Sequence, residues 1–325
     1  MPVRATAKVR LDETLFAAFA LLNATGYNAE NGWRFSKIRK AMRLKLAPRA
    51  AWWKAAIEQA GLLESLHRGH GAMLMDVVPL LAPPPRFHFQ VDNTDYTTDW
   101  QRESKSRLAR LDHWLRQFYE EEGVDRLWSE HLPSHEQAAA ALRQFSASVE
   151  STAKIFSEHT MSGTLEIVMM PNLLDMRNRG YSLSSDQRTW IFLGPVDDPA
   201  DWEQLAVHEM LHRWVDPAAE ETVLKNSAPD PMPQFRAQYP VVAQSYPDLN
   251  IVVGETVVRA ATAWLMARLR TQPSRKTEES ISHNEEIGFV GISDAYEHLV
   301  SRVEGSPSSA LKEAVELVCR RVVGG

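Results

Sequence analysis

His208, Glu209 and His212 lie in the run His208-Glu209-Met210-Leu211-His212, an H-E-x-x-H sequence. On a helix, four residues at about 100° each turn through about 400°, so both imidazoles leave one face, one turn apart, and can share one metal ion. Glu209 sits about 100° round from His208, beside such an ion rather than on it. A general base that takes a proton from activated water belongs there. With 11 His in 325 residues, chance supplies roughly 0.03 such runs. The flanking Leu205, Ala206 and Val207 put ionisable groups on a largely apolar helix, which is costly unless those groups are paired or hold a metal. The competing reading is a helix with two incidental histidines and an exposed glutamate.

A catalytic zinc site takes three protein ligands and keeps a fourth position for water. No third His follows at short spacing, because the residues after His212 are Arg213-Trp214-Val215-Asp216-Pro217. The single cysteine, Cys319, makes neither an internal disulfide nor a thiolate cluster. The third ligand is therefore expected from a carboxylate further along. Glu255, in Val253-Gly254-Glu255-Thr256-Val257-Val258-Arg259-Ala260, is the leading candidate. A carboxylate among so many apolar residues needs a partner, and a metal would supply one. Its alternative is an ion pair with Arg259 at i+4, and Glu220, Glu221 and Asp216 compete for the ligand role.

The two His with a Glu from a later helix resemble the gluzincin arrangement of zinc metallopeptidases, in which these three bind zinc and the motif Glu is the base. The stretches HEMLHRWVDP, GETVVRA and GFVGISDAYEHL also resemble an uncharacterised bacterial family grouped with metallopeptidases, in which HExxHxxxxP precedes an E-x-x-V-R-A helix. That second likeness covers most of the chain but is loose outside these motifs. The resemblance implies a zincin-like fold, one Zn2+ per chain on His208, His212 and Glu255, and Glu209 as base. It implies a peptide or protein substrate: zinc lowers the pKa of bound water towards about 7, and Glu209 takes the proton and returns it to the leaving amine. The sequence departs from the thermolysin-like members in two places. Forty-two residues separate His212 from Glu255, which predicts an elaborated loop, and Arg259 stands where those members carry an acid that orients a ligand His. Asp216 and Glu203 are candidates to orient His208.

An oxyanion donor should face the metal. Tyr246 and His283 are the principal candidates, Tyr246 in the loop before the Glu255 helix and His283 in a polar loop ahead of Glu285-Glu286; Tyr181 and Tyr296 are further ones. Two readings from other classes stand beside the peptidase. One is a zincin scaffold without activity that binds peptides or partners. The other is a di-iron carboxylate oxidase, since Glu64-x-x-His67 and Glu209-x-x-His212 are both Glu-x-x-His pairs.

The elements that must position these groups read as follows. Residues 11 to 67 are helical, broken at Gly26, Gly32 and Gly61; a short strand is expected at 87–91; helices follow over about 100–122 and 135–157. Near Gly163 the character changes. Thr164 to Met170 and Thr189 to Leu193 read as two strands, expected antiparallel, the second resembling an edge strand that would hold an extended substrate by strand addition. Asp198-Pro199 starts the HEMLH helix and Asp216-Pro217 closes it. A Pro-studded loop with Pro229, Pro231, Pro233, Pro240 and Pro247 leads to a helix over about 250–269, and a last helix covers about 310–322. The expected fold is α+β, mostly α: a helical N-terminal subdomain over 1–150 forming one wall of the cleft, then a zincin-like catalytic domain over 151–325 with a small antiparallel or mixed sheet.

At 44% hydrophobic and 24% charged residues, the chain buries a substantial core. A net charge of -6 argues against a large phosphate-binding surface, so nucleic acid is not an expected partner. No stretch approaches the roughly 18 uninterrupted apolar residues of a membrane span, and MPVRATAKVR carries no signal-like apolar core. A cytoplasmic location without membrane contact is expected.

Overall fold

The computed structural model of the chain describes residues 4–29, 32, 35–90, 99–157, 163–226, 231–269, 274–302 and 306–324. It is mostly helical with a small mixed sheet. The order is β1 (Arg4–Val9), α1 (Glu13–Ala24), α2 (Lys37–Gln59), α3 (Leu63–His67), α4 (Ala72–Val77), α5 (Asp99–Arg107), α6 (Leu111–Glu122), α7 (Val124–Arg143) and α8 (Ser146–Ser157). Then come β2 (Thr164–Pro171), β3 (Gly180–Ser184), β4 (Arg188–Leu193), α9 (Asp201–Asn226), α10 (Met232–Gln238) and α11 (Pro240–Ser245). The chain finishes with α12 (Leu249–Arg268), α13 (Ser274–Glu286), α14 (Ile292–Ser301) and α15 (Pro307–Gly324).

The sheet order is β1-β2-β4-β3. β2 and β4, expected antiparallel, are parallel from Glu166–Arg188 to Pro171–Leu193, and β3 is the antiparallel partner of β4. β1, not anticipated from the sequence, runs alongside β2 in the same direction, with Arg4 N–H donating to Gly163 O and Arg10 N–H to Met169 O. β4 therefore lies between β2 and β3, both its edges are paired, and the strand-addition role expected of it is lost. The strand expected at 87–91 is a single antiparallel bridge between Leu81 and Phe89, with Val91 outside the described residues.

The chain divides into two units. One comprises Ala7–Ser146 and Glu166–Leu205. Its core is α1, in which every side chain from Leu15 to Leu22 is at most 2% exposed. α1 is apolar all round, as a helix enclosed on every side must be, and it packs against α2, α6 and α7. Asp12 caps it, its Oδ1 accepting from Leu15 N–H at 2.9 Å. α2 runs on through Pro48.

The other unit comprises Met1–Thr6, Ala147–Leu165 and Ala206–Gly325. Its centre is α12, whose Val252, Val253, Val257, Val258, Ala260, Ala261 and Leu265 are fully buried and which packs against α13, α14 and α15. Among the described helices α12 alone has the length and hydropathy to cross a membrane, and 78% of that window is buried inside the protein. Its apolarity is thus accounted for by enclosure.

α9 continues to Asn226 instead of closing at Pro217. Val207, Leu211, Val215, Ala219 and Val223 recur every four residues and enter the unit's core on both sides of the proline, which outweighs the lost backbone bond. The Pro-studded segment is mostly helical where it is described, with Pro231 and Pro247 outside the helices. Pro233 and Pro240 sit in the first turns of α10 and α11, where the missing N–H is unneeded; Pro229 lies outside the described residues.

Candidate metal centre

One residue round from α9's apolar stripe lies a second i+4 stripe: His208, His212 and Asp216. The first stripe is held in the core, so the second is fixed in direction along the same helix. α12 brings Glu255 opposite it. Nε2 of His208 lies 3.4 Å from Nε2 of His212, Glu255 Oε2 is 3.7 Å from His208 Nε2, and Glu255 Oε1 is 3.6 Å from His212 Nε2. The three ligand atoms lie within 4.8 Å of one another, and no other such cluster exists among the described residues. Glu209, 6% exposed, is buried one residue on from His208.

These residues fit a small divalent metal. Bonds of about 2.0–2.1 Å in tetrahedral directions space ligand atoms about 3.3–3.4 Å apart, close to the separations here. The His–Glu distances are too long for hydrogen bonds, yet the groups converge. Glu255 Oε2 is buried and makes no hydrogen bond. Arg259 Nη2 stands 3.3 Å from it, near enough to balance its charge but not aligned to donate. A buried carboxylate oxygen with a lone pair in want of a partner, 3.7 Å from His208 Nε2, is what a cation would satisfy. The ion pair with Arg259, the alternative weighed from the sequence, is present together with this convergence.

Each imidazole is turned by a second group. His212 Nδ1–H donates to Asp216 Oδ1 at 2.9 Å, leaving Nε2 for the metal. Asp216 thus serves His212, not His208 as the sequence suggested. His208 Nδ1 faces Thr262 Oγ1 at 3.5 Å. The Thr262 hydroxyl already donates to Val258 O at 2.7 Å, so towards His208 it is an acceptor. Thr262 was not singled out in the sequence because a threonine on an apolar helix gives no signal. Gly254 lies where α12 approaches α9: a Cβ there would stand 3.2 Å from Asp216 Oδ1, so that carboxylate would have to give by a few tenths of an ångström, and 3.7 Å from Ala219 Cβ, an ordinary contact.

Burial holds His208 well below its ordinary pKa, and the charges of His212 and Arg259 push it the same way. Burial also acts to lower His212, but the Asp216 carboxylate, with Glu255 and Glu209 behind it, outweighs that and raises it to about 10. At pH 7 the metal-free pair therefore carries one proton beyond the single N–H of each neutral ring, and a metal bound at Nε2 would displace it. Loading at pH 7 should release about one proton per chain, read by titration calorimetry in two buffers of different ionisation enthalpy. Equal heats in both would refute it. For the Asp216 contact, Asp216→Asn should weaken metal affinity about 10–100-fold and lower the melting temperature of the metal-free protein at pH 7, because charged His212 loses its chief partner. A chelator-competition titration checks this, and unchanged affinity would remove Asp216 from the site.

Of the oxyanion candidates, Tyr246 is at the site. It follows α11, its hydroxyl accepts from Arg259 Nη2 at 3.2 Å, and its pKa is raised by burial first and the Glu255 charge second. His283 is not in a loop. It lies in the last turn of α13, exposed, and its neighbour Asn284 faces Arg259 instead. Tyr181 donates its hydroxyl to the buried Asp76, and Tyr296 lies in the field of Glu278. Of the competing ligands, Glu221 pairs with Lys225 on the surface and Glu220 is exposed. Among the described residues Glu64 and His67 belong to no group of three metal-ligating side chains; His67 Nε2 is 2.9 Å from Thr25 Oγ1.

Comparison with protein-family models, with curated proteins and with solved structures yields no match to this chain.

Proposed function

We propose that this chain is a zinc-dependent metallopeptidase of gluzincin type, with a zincin-like catalytic unit and a peptide or protein substrate. One observation carries the reading: His208 and His212 on one helix and Glu255 on another bring three ligand atoms within 4.8 Å, with a buried Glu209 beside them. His208, His212 and Glu255 would hold the ion. When bound, zinc activates a water for attack and polarises the substrate carbonyl.

The remaining chemistry belongs to the chain. Glu209 is placed as the acid–base group: its carboxylate takes one proton before attack on the carbonyl carbon and gives one to the departing amine nitrogen. Asp216 and Thr262 keep the two rings turned with Nε2 inward. Tyr246 supports the carbonyl oxygen as charge builds on it. Its oxygen already accepts from Arg259, so its own O–H remains for donation.

Purified without added metal or chelator, the protein should carry about one zinc by elemental analysis. Hydrolysis of a mixed peptide library should stop on dialysis against chelator and return with one equivalent of zinc. Two irons per chain would move the chemistry to oxidation. One zinc with no turnover across the library would leave a peptide-binding scaffold, and no metal under any loading condition would sink the reading.

A further inference from the structure

Beyond the hydrogen bond it gives Tyr246, Arg259 has no part in the proposed chemistry. It stands one turn beyond Glu255 on α12 and joins three elements. Nη2 approaches Glu255 Oε2 at 3.3 Å and donates to Tyr246 Oη at 3.2 Å. Nη1 donates to Asn284 Oδ1 on α13 at 3.3 Å. Asn284 is itself fixed, its Nδ2 donating to Ser280 O at 2.7 Å, which turns the amide oxygen towards the arginine. The guanidinium lies over the Phe289 ring, 4.3 Å from its centroid, and Tyr246 packs on the same ring at 5.9 Å. The planar fork is thus clamped on one face by an aromatic ring and at both ends by acceptors.

We propose that Arg259 is a positioning residue. Its fork, held by Tyr246, Asn284 and the Phe289 ring, fixes a positive charge 3.3 Å from Glu255 Oε2 and so keeps that carboxylate in place against the two imidazoles, with Tyr246 on the same anchor. The inference rests on the metal-site reading above. A compact point charge cannot do this. A lysine ammonium has charge and three donors, but no plane to lie on Phe289 and no separated nitrogens to reach Glu255, Tyr246 and Asn284 together. Where the charge is held is therefore separable from whether it is there. Arg259→Lys keeps the positive charge beside the metal and removes only the fork.

The test is zinc affinity of the full chain, measured by competition with a chromophoric chelator, with the visible spectrum of the cobalt(II)-loaded protein as a report of ligand geometry. Arg259→Lys should bind zinc about 10–100-fold more weakly than wild type, the range for loss of a group that orients a ligand, and should change the cobalt spectrum. Asn284→Leu touches neither Glu255 nor Tyr246 but frees the far end of the fork. It should shift both readouts in the same direction by less, and it carries the test if Arg259→Lys does not fold. Wild-type affinity and an unchanged spectrum in both variants would overturn the inference while leaving the metal site standing. A wild-type chain that takes up no metal would overturn both.

Discussion

Glu209→Gln should keep its zinc and lose peptide hydrolysis by about 10²–10⁴-fold, the span that general acid–base catalysis contributes. The amide has the size and shape of the carboxylate, so no cavity forms and no ligand is touched. What goes is the ability to accept a proton. Glu209 is 6% exposed, so bulk water has little access with which to replace it. The loss should fall on kcat with KM little moved, since the residue handles protons and is given no role in substrate binding. Elemental analysis and steady-state kinetics on one preparation read both halves. Turnover within a few-fold of wild type, with zinc retained, would take the base role from Glu209. Loss of zinc would mean that Glu209 is itself a ligand.

Glu255→Ala should lose zinc far beyond the 10–100-fold of an orienting group, because only two of three ligands remain. It should also melt lower without any metal present. Removing one partner of a buried ion pair costs about 3–5 kcal/mol. Because Arg259 keeps 30% exposure against 13% for Glu255, the lower end applies. The two readouts separate two roles of one carboxylate: metal content reports the ligand, and the melting temperature of chelator-treated protein reports the counter-ion of Arg259. Full zinc in the variant would return the third ligand to another carboxylate.

The site was more legible in the sequence than the frame around it. H-E-x-x-H fixes geometry by counting residues along one helix, and Glu255 is conspicuous because its neighbours are apolar. The groups that turn the rings are harder to see. Asp216 could be placed near the site but not on the correct ring, since an i+4 relation to His212 and a tertiary relation to His208 look alike on paper. Thr262 depends on the packing of α12 against α9 and leaves no trace in composition. Strand polarity was hidden for a similar reason: the apolar runs of β2 and β4 carry no direction, and parallel pairing arises only because β3 returns the chain antiparallel to β4. The prolines misled in a consistent way. Pro217, Pro233 and Pro240 were read as breaks, but two sit in first turns and the third lies in a helix pinned on both sides by core contacts. His283 was placed in a loop because its surroundings are polar. An amphipathic surface helix has the same composition and differs only in period.

Gly254 has a bearing on how firmly the site can hold an ion. A Cβ there would stand 3.2 Å from Asp216 Oδ1, the atom that accepts from His212 Nδ1. Any other residue at 254 would make that carboxylate give by a few tenths of an ångström. The imidazole it turns would lose part of its anchor while every ligand stayed in place. The room left by the missing side chain is therefore room for the acceptor that orients a ligand.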